Sequence, residues 1–153
     1  MTEADQRAAV VAASRKWLLT PYHSEADILG AGVDCGMLIV RVFVDLGLVP
    51  PFDPRPYQRD WHLHNSDEKY LGWVKTWCAR VAEPGPGDLA LFRFGRCFSH
   101  GGVVTQSKPL ALVHAFADVG FVVEDRFDQN PVLTKPCRAP HFYSFWTKEK
   151  GVV

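Results

Sequence analysis

Neither sign of charge prevails in this sequence. Lys and Arg together number 17, Asp and Glu together number 17, and the formal net charge is zero. A neutral chain has no general means of neutralising nucleic-acid phosphates or of holding to anionic lipid, so neither is an expected partner. Zero net charge also gives little colloidal protection, which leaves room for association with other proteins. A secretory signal is missing as well: Met1 to Arg7 is polar and acidic, with no basic segment ahead of an apolar one. No run reaches the roughly 18 apolar residues of a membrane-spanning helix, and the longest, Met37 to Val44, is broken by Arg41. The expectation is synthesis in the cytoplasm without membrane insertion, with any action outside it depending on another delivery route. The four cysteines, Cys35, Cys78, Cys97 and Cys137, include no C-x-x-C pair and are too sparse for a disulfide-built scaffold. Free thiols are expected. Cys97 and His100 form a C-x-x-H pair and His62 and His64 an H-x-H pair, but four ligands at zinc-site spacing are lacking, and no metal is expected.

What is present suits one domain, residues 1–153. The chain is 47% hydrophobic and 22% charged, which argues against disorder. Residues 4–19 are predicted to be helical, with Val10, Ala13 and Trp17 on one face and Pro21 ending the helix. A loop with Gly30 and Gly32 follows. A second, mostly buried helix is predicted from Asp34 to Leu46, with Gly47 as its C-terminal cap. Residues 50–66, rich in Pro, are read as irregular, and 67–82 as a third helix. After the turn at Pro84 to Asp88 the pattern changes to short strands at 89–94, 101–105, 110–116, 121–125 and 142–146. Helices first and strands later predict an α+β domain, with N-terminal helices packed on a C-terminal antiparallel sheet.

Cys35 stands apart from the other cysteines. It follows a Gly-rich loop and opens the buried helix, where unpaired N–H groups and the positive end of the helix dipole favour a thiolate. The same N–H groups suit a developing oxyanion. Its ordinary role would be that of a small core residue. A nucleophilic Cys needs a base. His100 begins a strand followed by Gly101 and Gly102, which let a neighbouring chain approach closely. His114 lies in the next strand, and a hairpin would make the two imidazoles cross-strand neighbours. A His flanked by Leu112 and Phe116 is otherwise an ordinary core residue. Cys97, three residues before His100, lacks a helix end to activate it.

In order, the chain carries Thr20-Pro21-Tyr22, Val33-Asp34-Cys35 opening a helix, Pro86-Gly87-Asp88-Leu89-Ala90-Leu91-Phe92, Ser99-His100-Gly101-Gly102-Val103 and Val113-His114-Ala115. This order resembles the NlpC family of papain-like cell-wall peptidases, especially the single-domain branch found in tail-assembly proteins of phages and gene transfer agents. The resemblance covers residues 14 to 125. It implies a papain-like fold with Cys35 as nucleophile, His100 as base, His114 as the polar residue that orients the base, and Tyr22 with its hydroxyl near the oxyanion site. Asp34 matches an acidic residue that binds the substrate's free amine. Gly36 and Met37 depart from the serine and glycine common at those positions, and the insert from Pro50 to Glu83 departs from compact members, with a wall of the cleft or a docking surface as its expected role.

The implied reaction is thioester-mediated hydrolysis of a peptidoglycan stem peptide between D-γ-glutamate and a diamino acid, with no cofactor. The implied setting is a tail tip or hub of a phage-like particle that carries the protein to the wall. Two alternatives stay open. One is a catalytically silent tail-hub protein that keeps the fold and uses Tyr57, Trp61, Trp73 and Trp77 as a partner surface. The other is an acyltransferase or a different amidase. An activated Cys35 should alkylate faster than Cys78.

Overall fold

The computed structural model describes residues 1–57 and 69–148. Trp61, His62 and His64 lie outside the described residues. The first helix, α1 (Glu3–Arg15), is capped by Thr2. The Thr2 hydroxyl accepts the Asp5 N–H and the Asp5 carboxylate accepts the Thr2 N–H, both at 3.1 Å, so two otherwise orphaned amides are satisfied. The apolar period runs on to residue 19, but the helix stops at Arg15. The edge of the sheet captures the chain instead: Leu19 donates its N–H to the Val122 carbonyl and Thr20 accepts from the Val122 N–H, both at 2.9 Å. The loop beyond contains a two-stranded hairpin, β1 (Asp27–Ile28) and β2 (Gly32–Val33).

The buried helix α2 (Cys35–Asp45) forms as its apolar pattern predicts. Asp34 caps it, Leu46 closes it, and Gly47 follows at φ 72°, the left-handed turn that glycine adopts without penalty. The third helix, α3 (Lys69–Trp77), is shorter than its pattern implies. Residues after Cys78 leave the helix as strand β3 (Ala79–Val81), which pairs with β8 (His141–Ser144). Pairing with a strand some 60 residues away is a tertiary contact, and it overrides the helical period of Val74 and Val81.

Strands β4 (Leu89–Phe94), β5 (Cys97–Ser107), β6 (Leu110–Phe116) and β7 (Phe121–Arg126) complete a six-stranded sheet of order β3-β8-β4-β5-β6-β7. Every neighbouring pair is antiparallel. One face carries Leu89, Leu91, Val103, Val113 and Val122 against α1 and α2. The other carries Ala90, Phe92, Val104 and Leu112 against Leu133, from the irregular segment after β7. The fold class is therefore the expected α+β arrangement of N-terminal helices on a C-terminal antiparallel sheet. Trp73 and Trp77 point to the core side and pack on Phe52, at ring distances of 5.8 and 4.5 Å.

Candidate active site

The site lies where the start of α2 meets an open stretch of β5. The β5–β6 ladder runs from Ser107↔Leu110 to Val103↔Val113, and the cysteine sits against β5 beyond that point. Its thiol donates to the Ser99 carbonyl at 3.5 Å, and the Gly101 N–H favours negative charge on the sulfur. The Cys35 carbonyl accepts from the Tyr70 hydroxyl at 3.4 Å. Gly101 makes this approach possible, since a Cβ there would fall 2.7 Å from both the Tyr70 hydroxyl and a Leu91 methyl.

His100 and His114 are brought together as diagonal neighbours rather than directly opposed ones. One step beyond the last pair of the β5–β6 ladder, Gly102 lies near His114, and a Cβ on Gly102 would fall 2.9 Å from His114 Cβ and 2.7 Å from the Val113 carbonyl oxygen. That vacancy lets His100 Nε2 reach His114 Nδ1 at 2.8 Å. The chain of contacts continues. His114 Nε2 lies 2.8 Å from Asp125 Oδ2, and the Asn130 amide donates to the same oxygen at 3.2 Å. Asp125 and Asn130 were not among the expected site residues. Asp125 lies in a strand that the alternating pattern predicts, two residues from Val123, which faces His114. That period of two was the available signal; Asn130, in an irregular segment, offered none.

Around His100 stand the rings of Phe94, Phe116 and Phe92, at centroid distances of 5.3, 5.7 and 6.0 Å. Burial among them holds its pKa well below the usual histidine value, with smaller pushes from His114 and the Arg138 guanidinium. His100 is therefore neutral at rest. Asp125 is held below the ordinary carboxylate range by its bond to His114.

Cys35 corrects the expectation of a resting thiolate. It keeps partial exposure on the cleft wall, yet burial pushes its thiol up to about 12, and the Asp34 carboxylate pushes the same way. The N–H groups of Gly101, Gly36 and Cys35 itself favour the anion but do not outweigh loss of water. Burial thus disfavours charge both on the Cys35 thiol and on His100, which lines the same cleft. Cys78 is buried and Cys137 exposed, so Cys137 is the meaningful reference for alkylation.

Asp34 is a structural residue in addition to its expected role. Its Oδ1 accepts the Met37 N–H at 2.8 Å, and its Oδ2 accepts the Glu25 N–H at 2.7 Å and the Tyr57 hydroxyl. Only 3% of it is exposed, and burial raises its pKa against the pull of these donors. Tyr57 and Tyr70, like Asp125, were missed as site residues. Tyr57 belongs to the insert whose expected roles are a wall of the cleft or a docking surface, and the segment through Pro54 and Pro56 folds back onto the start of α2 as a cleft wall. Asp34→Asn is expected to move the alkylation profile of Cys35 to lower pH, because the charge that opposes the thiolate is gone. Asn also caps helices well, although its NH2 would face the Glu25 N–H and cost about 1–3 kcal/mol of stability. Iodoacetamide rates against pH, with Cys137 as internal reference, measure the shift; an unmoved profile would show that burial alone sets it.

These side chains line a cleft of about 370 Å³. Tyr22, Asp34, Cys35, Ser99 and His100 line it, together with Pro54, Tyr57, Lys69 and Trp73 from the insert. Tyr22 is set beside α2 by a bridge to Val33. His114 lies behind His100, fully buried. Among the described residues, no group of three His, Cys, Asp or Glu side chains is placed to hold a metal ion, and no helix is long and apolar enough to cross a membrane.

No protein-family profile matches the chain, and no curated protein matches it. Solved structures do. The NlpC/p60 domain of the peptidoglycan hydrolase SagA superposes with a TM-score of 0.59 at 16% identity, over 88% of this chain and 96% of that domain. The chain shares the fold of that domain. An N-acetylmuramoyl-L-alanine amidase from Bacteroides uniformis superposes with a TM-score of 0.58 at 13% identity, over 91% of this chain and 98% of that one. At such identities the likeness is one of fold, and the chemistry has to be argued from the side chains themselves.

Proposed function

We propose that this protein is a cysteine hydrolase of peptidoglycan stem peptides, cutting between D-γ-glutamate and the diamino acid. One observation carries the reading: Cys35 and His100 line the same cleft of an NlpC/p60 fold, with His100 hydrogen-bonded to His114 behind it. The peptidoglycan hydrolase and amidase among the fold's neighbours support the substrate class. The choice of bond follows from the motif resemblance.

In the proposed reaction the thiol proton passes to His100 as the sulfur attacks the amide carbonyl. Because both groups rest neutral, proton transfer accompanies attack instead of preceding it. The carbonyl π electrons move to oxygen, where the Cys35 N–H at the start of α2 and the Tyr22 hydroxyl receive the charge. His100 then protonates the leaving amine, and a thioester remains. Water, activated by His100, releases the acid and restores the thiol. Asp34 contributes negative charge at the cleft wall toward a free amine on the stem peptide. The setting we propose is a tail tip or hub of a phage-like particle, with the protein made in the cytoplasm, carried by the particle and acting on the wall from the periplasm. The order of motifs supports this setting.

Incubating the purified chain with a defined muropeptide and weighing the products tests the reading. The expected pair is a fragment ending in D-γ-glutamate and one starting at the diamino acid. Release of an intact stem peptide from its sugar would instead make the protein an amidase. A transferred acyl group would make it a transferase, and absence of any Cys35-dependent product would favour a silent tail component.

A further inference from the structure

The hydrogen bonds that end on His100 begin at two backbone amides, and their direction is set there. Val132 and Leu133 each donate an N–H to the Asn130 side-chain oxygen at 3.0 Å. The Asn130 NH2 is thereby turned to Asp125 and donates to its Oδ2 at 3.2 Å. An ionised carboxylate only accepts, so its other contact, His114 Nε2 at 2.8 Å, requires the hydrogen on that nitrogen. With a single ring hydrogen, His114 presents a lone pair at Nδ1, and His100 Nε2, 2.8 Å away, is then the donor. His100 is left with an unprotonated Nδ1, the tautomer that accepts a proton from a thiol. If the chain ran the other way, Nδ1 would carry a hydrogen and His100 could not act as the base.

We propose that Asp125, seated by Asn130, is a positioning residue that sets the tautomers of both histidines and so makes His100 a base toward Cys35. Its consequence for turnover rests on the cysteine-hydrolase reading; its geometry does not. As the S–H bond breaks and the Nδ1–H bond forms, His100 becomes an imidazolium, and the Asp125 charge, relayed through His114, stabilises it. The aromatic cage around His100 offers no such compensation, and Arg138, with its guanidinium 3.8 Å over the Phe94 ring, opposes it.

Nitrogen-15 correlation spectra of the full chain at neutral pH read the hydrogen on each ring nitrogen directly. The wild type is expected to show it on Nε2 of both His100 and His114. Asp125→Leu, at a side chain one-third exposed on an edge strand, is expected to mix the tautomers. It should also lower kcat about tenfold to a hundredfold with little change in KM, the lower range for acid–base assistance. Asp125→Asn keeps an oxygen acceptor but not the charge, so it should retain the wild-type tautomers and recover only part of that loss. A hydrogen on His100 Nδ1 in the wild type, a His114 protonated on both nitrogens, or unchanged tautomers in Asp125→Leu would overturn the proposal. The expected tautomers in a wild type that hydrolyses no muropeptide would uphold it and remove the hydrolase reading instead.

Discussion

Cys35→Ala is expected to leave a folded protein with no measurable hydrolysis of a muropeptide that the wild type cuts. Removing the nucleophile of a hydrolase typically costs about a millionfold in kcat, far below the detection limit of product analysis by mass. The change should be nearly silent in stability, within about 1 kcal/mol, because it removes one half-buried sulfur whose hydrogen bond to Ser99 is long at 3.5 Å. Asp34 still caps α2 through the Met37 N–H, so the helix start survives. Cys35→Ser keeps a hydroxyl in the same place and should be equally inactive, since an alcohol beside an imidazole with so low a basicity is a far weaker nucleophile than a thiol. Wall digestion at equal rates by wild type and either variant would end the assignment of Cys35. A variant that loses both activity and its cooperative melt would point to a packing role at the start of α2.

Gly102→Ala is expected to damage stability and catalysis together. The added Cβ would meet the Val113 carbonyl oxygen at 2.7 Å, a Leu112 methyl at 2.8 Å and His114 Cβ at 2.9 Å. The methyl can rotate away, but the carbonyl belongs to the backbone of β6, so the two strands must part. Overpacking of this kind costs about 1–3 kcal/mol and more where backbone has to move. We expect about 3 kcal/mol, which in a domain of this size lowers Tm by roughly 6–12 °C. Parting the strands carries His114 away from His100, so kcat should fall about tenfold or more even in the fraction that remains folded. Gly72→Ala is the control. It lies in α3 with no atom within 4 Å of the added carbon, and alanine should stabilise the helix by about 0.5–1 kcal/mol. Equal melting curves for the two variants would show that the close approach at Gly102 is not what holds β6 in place.

The difference between these two glycines was partly legible in the chain itself. Gly101 and Gly102, following His100 in an apolar strand, signal a close approach, because glycine has nothing else to contribute there. The same local logic reached the start of α2, where Asp34, Cys35 and the apolar period that follows state the helix and its cap. It also reached the strands at 89–94 and 110–116, which the structure reproduces residue for residue. The helix that stops at Arg15 and the strand β3 were out of reach. In both places local periodicity was intact, and pairing with β7 or β8 decided the outcome.

For the site, residues close in the chain or written in a short motif could be read from it: the cysteine at a helix end, the two histidines on adjacent strands, the tyrosine ahead of them. Three things came only from tertiary structure. Tyr57 reaches Asp34 because the proline-rich segment folds back over the cleft. Asp125 and Asn130 close the relay behind His114 because β7 pairs with β6 in one register. The charge on Cys35 depends on how much water the surrounding segments exclude and on the nearby Asp34 carboxylate. Helix ends and glycines act over a few residues and are written locally. Protonation is a sum over neighbours drawn from the whole chain, and no single segment contains it.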